Sequence, residues 1–197
     1  MAENKLSHNT KRAAQVGALH QAIGEFAVAF ENISHQQLRC IEVLLKSAGL
    51  RNERVMQILF AGYTSEPMRV MLQSLIGQLR TPDASEQAIV SNMFVRHQKL
   101  ISRRNEVMHG TWMIGYGDGQ TTDWGTAFGW KLGKDKKGSR VKGFEYRVED
   151  FDELTQEAKD LANAFLRLWG CYSGGFDVSQ NFDVDDDGAV ASPEKHI

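Results

Sequence analysis

Cysteine is scarce in this chain, with two in 197 residues, Cys40 and Cys171. Two widely spaced thiols build no disulfide framework, and neither has the spacing of a metal ligand set. Reduced thiols in a cytoplasm, no metal and no cofactor are therefore expected. Long apolar runs are missing as well. No stretch approaches the roughly 18 apolar residues that span a bilayer, so no membrane partner is expected. The opening MAENKLSHNTKR lacks an apolar core and does not read as a secretory signal. An excess of one charge is also absent, since 23 Lys and Arg face 25 Asp and Glu for a net −2. That balance excludes a uniformly basic nucleic-acid coat and confines any polyanion site to a local patch. What is present, 42% hydrophobic and 24% charged residues, suits a globular chain able to bury about 70% of its extended surface. The expectation is one domain over 13–173, after a flexible N-terminus (1–12) and before an acidic, flexible tail (174–197).

Apolar periodicity makes the chain mainly α-helical. Val16, Leu19, Ile23, Phe26, Phe30, Ile33, Cys40 and Leu44 recur at steps of three and four, broken only by polar Gln37, which draws one stripe on a long helix stopping near Gly49. Gly24 or the Asn32–Ser34 region is where such a helix could bend. Asn52 reads as the N-cap of a short helix and Ser65 as the cap of a third. Asp83 with Glu86 forms a capping-box pattern opening a fourth helix that runs to His109, with Gly110 as its stop. From about 111 to 148 the period changes to two: Trp124, Thr126, Phe128, Trp130 and Leu132 alternate with small or polar residues, as do Phe144, Tyr146 and Val148. Trp112, Ile114 and Tyr116 suit a further strand, and 133–140 a hairpin tip. Helical spacing returns at Asp150, which with Glu153 repeats the capping box, and Gly170 reads as the end. The architecture implied is a helical bundle with a small β-hairpin or sheet inserted before its last long helix.

The fourth helix carries the residues with chemistry. Met93, His97, Leu100, Arg104 and Met108 fall on one line, so a histidine and an arginine stand where an apolar stripe should continue. Asn105 and His109 are four apart and share a flank. Arg104 and His109 are five apart, about 140° around the helix, a separation that only the long arginine arm can close. In the last turn, unpaired carbonyls favour a cationic imidazole at His109.

The run Arg104-Asn105-Glu106-Val107-Met108-His109 resembles the R-(x4–6)-H signature of the HEPN superfamily, with a polar residue directly after the arginine. Arg103 to His109 also fits the spacing, and Asn105 after Arg104 favours Arg104. The resemblance implies a HEPN-like helical bundle in which the motif ends a late helix, covering about 13–110 and 150–170. It also implies a metal-independent endoribonuclease of toxin–antitoxin or phage-defence type, acting on RNA as a homodimer that pairs two motifs across a two-fold axis. Arg104 and His109 are then the catalytic pair, Asn105 the residue that fixes the imidazole, and His97 and Arg103 supporting residues behind them. An antitoxin or defence-system protein would be a further partner. HEPN toxins paired with nucleotidyltransferase antitoxins resemble R-(x4–6)-H-x-Tyr, and Thr111 stands at that tyrosine position, so regulation by tyrosine modification there is not expected. The alternative reading is a non-catalytic HEPN-like module that binds RNA, a nucleotide or a protein through the same residues.

Two further stretches bear on partners. Lys131, Lys134, Lys136, Lys137, Arg140 and Lys142 face a single acid, Asp135, within twelve residues, a basic spot suited to RNA phosphates. Trp112, Trp124 and Trp130 lie in the same insertion, where they can pack the sheet or stack on bases. Asp183, Asp185, Asp187, Gly188 and Glu194 satisfy the D-x-D-x-D-G-x5-E calcium-loop pattern, yet Pro193 sits inside it and no partner loop exists. The stretch is read as acidic tail rather than calcium site.

Overall fold

The computed structural model describes residues 2–115, 123–135, 138–184 and 190–191. Among them the order is α1 (Ala2–Ser47), α2 (Glu53–Phe60), α3 (Ser65–Leu79), α4 (Ala84–His109), β1 (Thr111–Ile114), β2 (Thr126–Asp135), β3 (Gly138–Arg147), α5 (Val148–Gly174), β4 (Asp183–Val184) and β5 (Val190–Ala191). The chain is thus mainly helical, with a small antiparallel sheet, ordered β1-β2-β3, before its last long helix. No helix among the described residues is long and apolar enough to cross a membrane.

Side-chain N-caps explain the starts of α2 and α4. Asn52 Oδ1 accepts from the backbone N–H of Arg54 and Val55 at 3.1 and 3.3 Å, and Asp83 Oδ1 accepts from that of Glu86 at 2.8 Å. Two starts differ from expectation. Thr64, not Ser65, holds the N-cap of α3 and makes no side-chain cap bond, while the Ser65 hydroxyl lies 2.6 Å from that of Ser34. α5 begins at Val148, so Asp150 sits in its first turn and reaches back to the Arg147 N–H at 2.7 Å, the reciprocal half of a capping box. α1 begins at Ala2, well ahead of the apolar stripe, and α5 runs past Gly170 to Gly174.

The chain divides into two compact units, Met1–Val28 with Ser102–Gln156, and Ala29–Ile101 with Glu157–Ile197. The second unit buries Phe30, Ile33, Ile41, Leu72, Met93, Leu161 and Phe165, each worth about 1.5–3 kcal/mol. It also absorbs the start of the expected flexible tail. Val178 and Phe182 are buried, Arg167 donates to the Asn181 carbonyl at 3.1 Å, and β4 pairs with β5. A segment with two well-placed apolar side chains docks despite its acidity. The calcium-pattern residues Asp185, Asp187, Gly188 and Glu194 lie outside the described residues.

The first unit holds the sheet. β2 pairs with β1 from Thr111↔Trp130 to Ile114↔Ala127, and with β3 from Thr126↔Arg147 to Asp135↔Gly138. Tyr116, expected to extend the first strand, lies outside the described residues, as do Lys136 and Lys137. Opposed residues share a face, so Trp112, Phe144 and Tyr146 point one way. Trp112 packs on Phe144 at 5.0 Å between centroids, and Tyr146 stacks on Phe151 of α5 at 5.2 Å. Gly129 is buried on this face, and any Cβ there would run into the Phe144 ring. Gly115, at φ +81°, is likewise covered by the Trp124 ring. Gly129→Ala is expected to destabilise the fold by about 1–3 kcal/mol, read as a lower urea midpoint; an unchanged midpoint would mean that the ring has room to move.

Candidate functional site

The motif sits in the last turns of α4, in the first unit. Two devices hold that helix end. The Trp112 indole N–H donates to the carbonyl of Val107 at 2.7 Å, satisfying one of the acceptors a helix leaves open at its C-terminus. Gly110 then lets the chain pass under Phe144, since a Cβ there would lie 2.5 Å from the ring and 2.6 Å from the Glu106 carbonyl.

On the accessible side, Arg104 Nη1 lies 3.4 Å from His109 Nε2. The arginine arm does close the separation. A guanidinium has donors only, so as a hydrogen bond this contact needs a lone pair on Nε2. His109 is exposed, and Arg104 and Asn105 are half-buried. Among the described residues no hydrogen bond joins Asn105, the residue expected to orient the imidazole, to His109; the contact on that ring comes from Arg104.

Behind this pair lies a residue that sequence reasoning passed over. Glu106 is buried, and its carboxylate accepts from Lys142 Nζ of β3, from Arg103 Nη1 at 3.3 Å and from the Tyr146 hydroxyl at 3.2 Å. The Tyr146 oxygen in turn accepts from Arg103 Nη1 at 3.3 Å. Burial pushes the Glu106 carboxyl up, but the bonds from Lys142, Tyr146 and Arg103 outweigh it and hold the group below the usual carboxylate range. Burial, and then the neighbouring carboxylate, raise the Tyr146 phenol, although Arg103 opposes them, so it stays neutral and keeps its proton to donate. Both Arg103, the expected supporting residue, and Lys142, expected on RNA, have their charge answered by this carboxylate. The helical neighbours of Glu106, Lys99, Ser102 and Arg103, are all exposed, so no periodic signal marked it.

Of the other expected RNA-binding cations, Lys131 is half-buried and Arg140 exposed, while Lys134 occupies β2 opposite Ser139. Lys131 stands directly across from Lys142. Like charges so placed repel, and the pairing of Lys142 with Glu106 relieves that repulsion.

His97, the other expected supporting residue, belongs to the core of the second unit. Its Nδ1 lies 2.9 Å from the Gln37 amide nitrogen, and Phe30 and Phe165 flank the ring at 5.8 and 6.2 Å. Burial, with a smaller push from Arg69, drops its pKa to about 4, so it is neutral at physiological pH. His97 Nε2 and Gln37 Oε1 are buried with no hydrogen-bond partner among the described residues. Among those residues, too, no group of three His, Cys, Asp or Glu side chains could hold a metal ion. Compared with family models, curated proteins and solved structures, the chain matches none.

Two predictions follow from these networks. Glu106→Gln weakens the bonds to Lys142 and Arg103 and is expected to cost about 1–2 kcal/mol in urea unfolding, whereas Lys142→Met alone costs less because that side chain is largely exposed. For His97 the folded pKa lies below the unfolded one, so the unfolded state binds the proton more readily. Stability is then full above about pH 6.5 and drains as pH falls towards 4, by on the order of 3 kcal/mol. His97→Gln should flatten that part of the stability–pH curve; a slope equal to wild type would rule His97 out as its source.

Proposed function

We propose that the protein is a metal-independent endoribonuclease of HEPN type, acting as a homodimer in a toxin or phage-defence role. The reading is carried by the approach of Arg104 to His109 at the accessible end of α4. The reaction needs a base for the ribose 2′-OH, an acid for the departing 5′-oxygen and a cation for the charge on phosphorus. The 2′-oxygen attacks phosphorus, the P–O5′ bond breaks, and the products are a 2′,3′-cyclic phosphate and a free 5′-OH. Histidine titrates near working pH and serves as base or acid, while Arg104 can fork two donors onto the non-bridging oxygens.

One chain offers one such imidazole, and in-line displacement wants groups on both sides of phosphorus. A second copy across a two-fold axis supplies the other. The position of Asn105, off the imidazole, favours a second reading, a module that binds RNA, a nucleotide or a protein without cutting, because an arginine and a histidine alone also suit phosphate recognition.

The experiment is incubation of the purified chain with single-stranded RNA in excess EDTA. Cutting is expected, with a cyclic phosphate end, and His109→Ala should reduce it by about a hundredfold or more, the scale of a lost general acid or base. Binding without cutting by the wild type selects the module. Cutting undiminished by His109→Ala sinks both assignments of the histidine.

A further inference from the structure

The outer half of the hairpin gathers its cations on one side. By register, Tyr146, Phe144, Lys142 and Arg140 of β3 share a face with Gly129, Lys131 and Gly133 of β2, the face on which the end of α4 packs. Beyond the aromatic rings that face is cationic. Lys131 opposes Lys142, and Arg140 follows about 7 Å along β3, opposite Gly133. No carboxylate stands across the strands from Lys131 or Arg140. Asp135, the one acid between residues 131 and 142, lies opposite Gly138 at the tip, and Glu145 belongs to the other face with Phe128.

The end of α4 adds to this row. Glu106 takes Lys142 on one carboxylate oxygen and Arg103 on the other. One negative charge cannot neutralise two cations, so the cluster stays positive. The Lys142 and Arg103 side chains are 64% and 54% exposed, against 11% for Glu106. An ammonium and a guanidinium each have more donors than these contacts use. The carboxylate therefore holds two accessible cationic heads side by side.

We infer that this face is a phosphate track, along which the backbone of an RNA strand meets Arg140, Lys131 and Lys142 and reaches the motif through Arg103. The choice of RNA rests on the ribonuclease reading above; the track rests on the register and on Glu106.

Like charges opposed on a sheet are destabilising, and here Arg140 adds a third cation to the Lys131–Lys142 pair. A phosphodiester strand turns that repulsion into attraction. A second copy of the chain, docked through this face by a two-fold axis, would set the row against itself. Continuity favours the strand over an acidic protein segment. Arg104 follows Arg103 directly, and His109 follows Glu106 within one helical turn. The row thus ends where the scissile phosphate of the proposed reaction belongs.

Binding of the full chain to a labelled 2′-O-methyl oligouridine of about twelve nucleotides tests this by fluorescence anisotropy in chelator, across a salt series. That probe has no 2′-OH to attack, so binding is read apart from cutting. Lys131→Gln and Arg140→Gln are each expected to lower the slope of log affinity against log salt by about 0.7, and together to weaken binding about tenfold at about 0.1 M salt. Arg147→Gln removes the same charge from the other face, where Arg147 pairs with Thr126, and should leave the slope as in wild type. Arg140 and Arg147 are exposed and Lys131 half-buried, and an unchanged urea midpoint checks that all three variants fold.

Unchanged slopes in both Lys131→Gln and Arg140→Gln overturn the track, as does failure of the wild type to bind. An equal fall in Arg147→Gln overturns it in favour of net charge alone. Polyglutamate displacing the probe as well as unlabelled oligouridine does overturns it in favour of an acidic protein partner, and tighter binding of an oligothymidine of the same length overturns the choice of RNA. Slope loss confined to Lys131 and Arg140 in a protein that never cuts leaves the track standing and removes only the ribonuclease reading.

Discussion

The carboxylate of Glu106 is the point from which the rest of the first unit takes its geometry. It is buried on α4 between the arginine and the histidine of the motif, and a buried carboxylate is tolerable only with its lone pairs filled. Arg103 comes from its own helix, while Lys142 and Tyr146 come from β3, so satisfying the charge ties the sheet to the helix end. The apolar contacts of Trp112, Phe144 and Phe151 supply most of the attraction at that junction, but they are indifferent to small slides. A carboxylate with three fixed donors is not. Once Glu106 turns inward to meet β3, the helical repeat fixes where Arg104 and His109 point.

The same inward turn explains what sequence could and could not disclose about the site. Helix periodicity located the motif at the end of α4, and the reach of an arginine across five residues was arithmetic. Which neighbour would touch the imidazole was not. Asn105 has the spacing for it, yet Arg104 makes the contact, because side-chain direction depends on how the helix is rotated against the sheet. Glu106 was hidden for a related reason: an acid beside a basic residue on a helix reads as a surface pair, and its burial arises only when a strand arrives from forty residues away. The two polar interruptions of apolar stripes tell the opposite story. Gln37 on α1 and His97 on α4 each looked like a blemish, and the structure sets one against the other in the core of the second unit. Two breaks in two stripes are evidence for a pair, a signal available before any coordinates.

Element boundaries were legible where a side chain does the capping. Asn52 and Asp83 accept from backbone donors as their positions require. Ser65 and Asp150 were each placed at a cap they do not hold, because a hydroxyl or a carboxylate near a helix start has more than one donor to choose from. The ends without a cap were misjudged. α1 extends back to Ala2 through residues with no apolar stripe, and the acidic C-terminal stretch docks through Val178 and Phe182 although its mean composition argues against order. Composition averages over a window; packing needs two side chains in the right places.

The contact between Arg104 and His109 also orders events in the proposed reaction. At 3.4 Å the guanidinium lies beside Nε2 of the ring, a long contact for a hydrogen bond. Hydrogen bonds from arginine to a phosphate oxygen are charge-assisted at both ends and roughly twice as strong as neutral ones. An arriving phosphate would therefore draw the guanidinium away and release the Nε2 lone pair at the moment a 2′-hydroxyl is near enough to use it. In the proposed reaction the ring freed in this way would serve as the base. In that scheme the same arginine would hold the ring before substrate arrives and stabilise charge on phosphorus afterwards, which a lysine, lacking the planar fork, would do poorly.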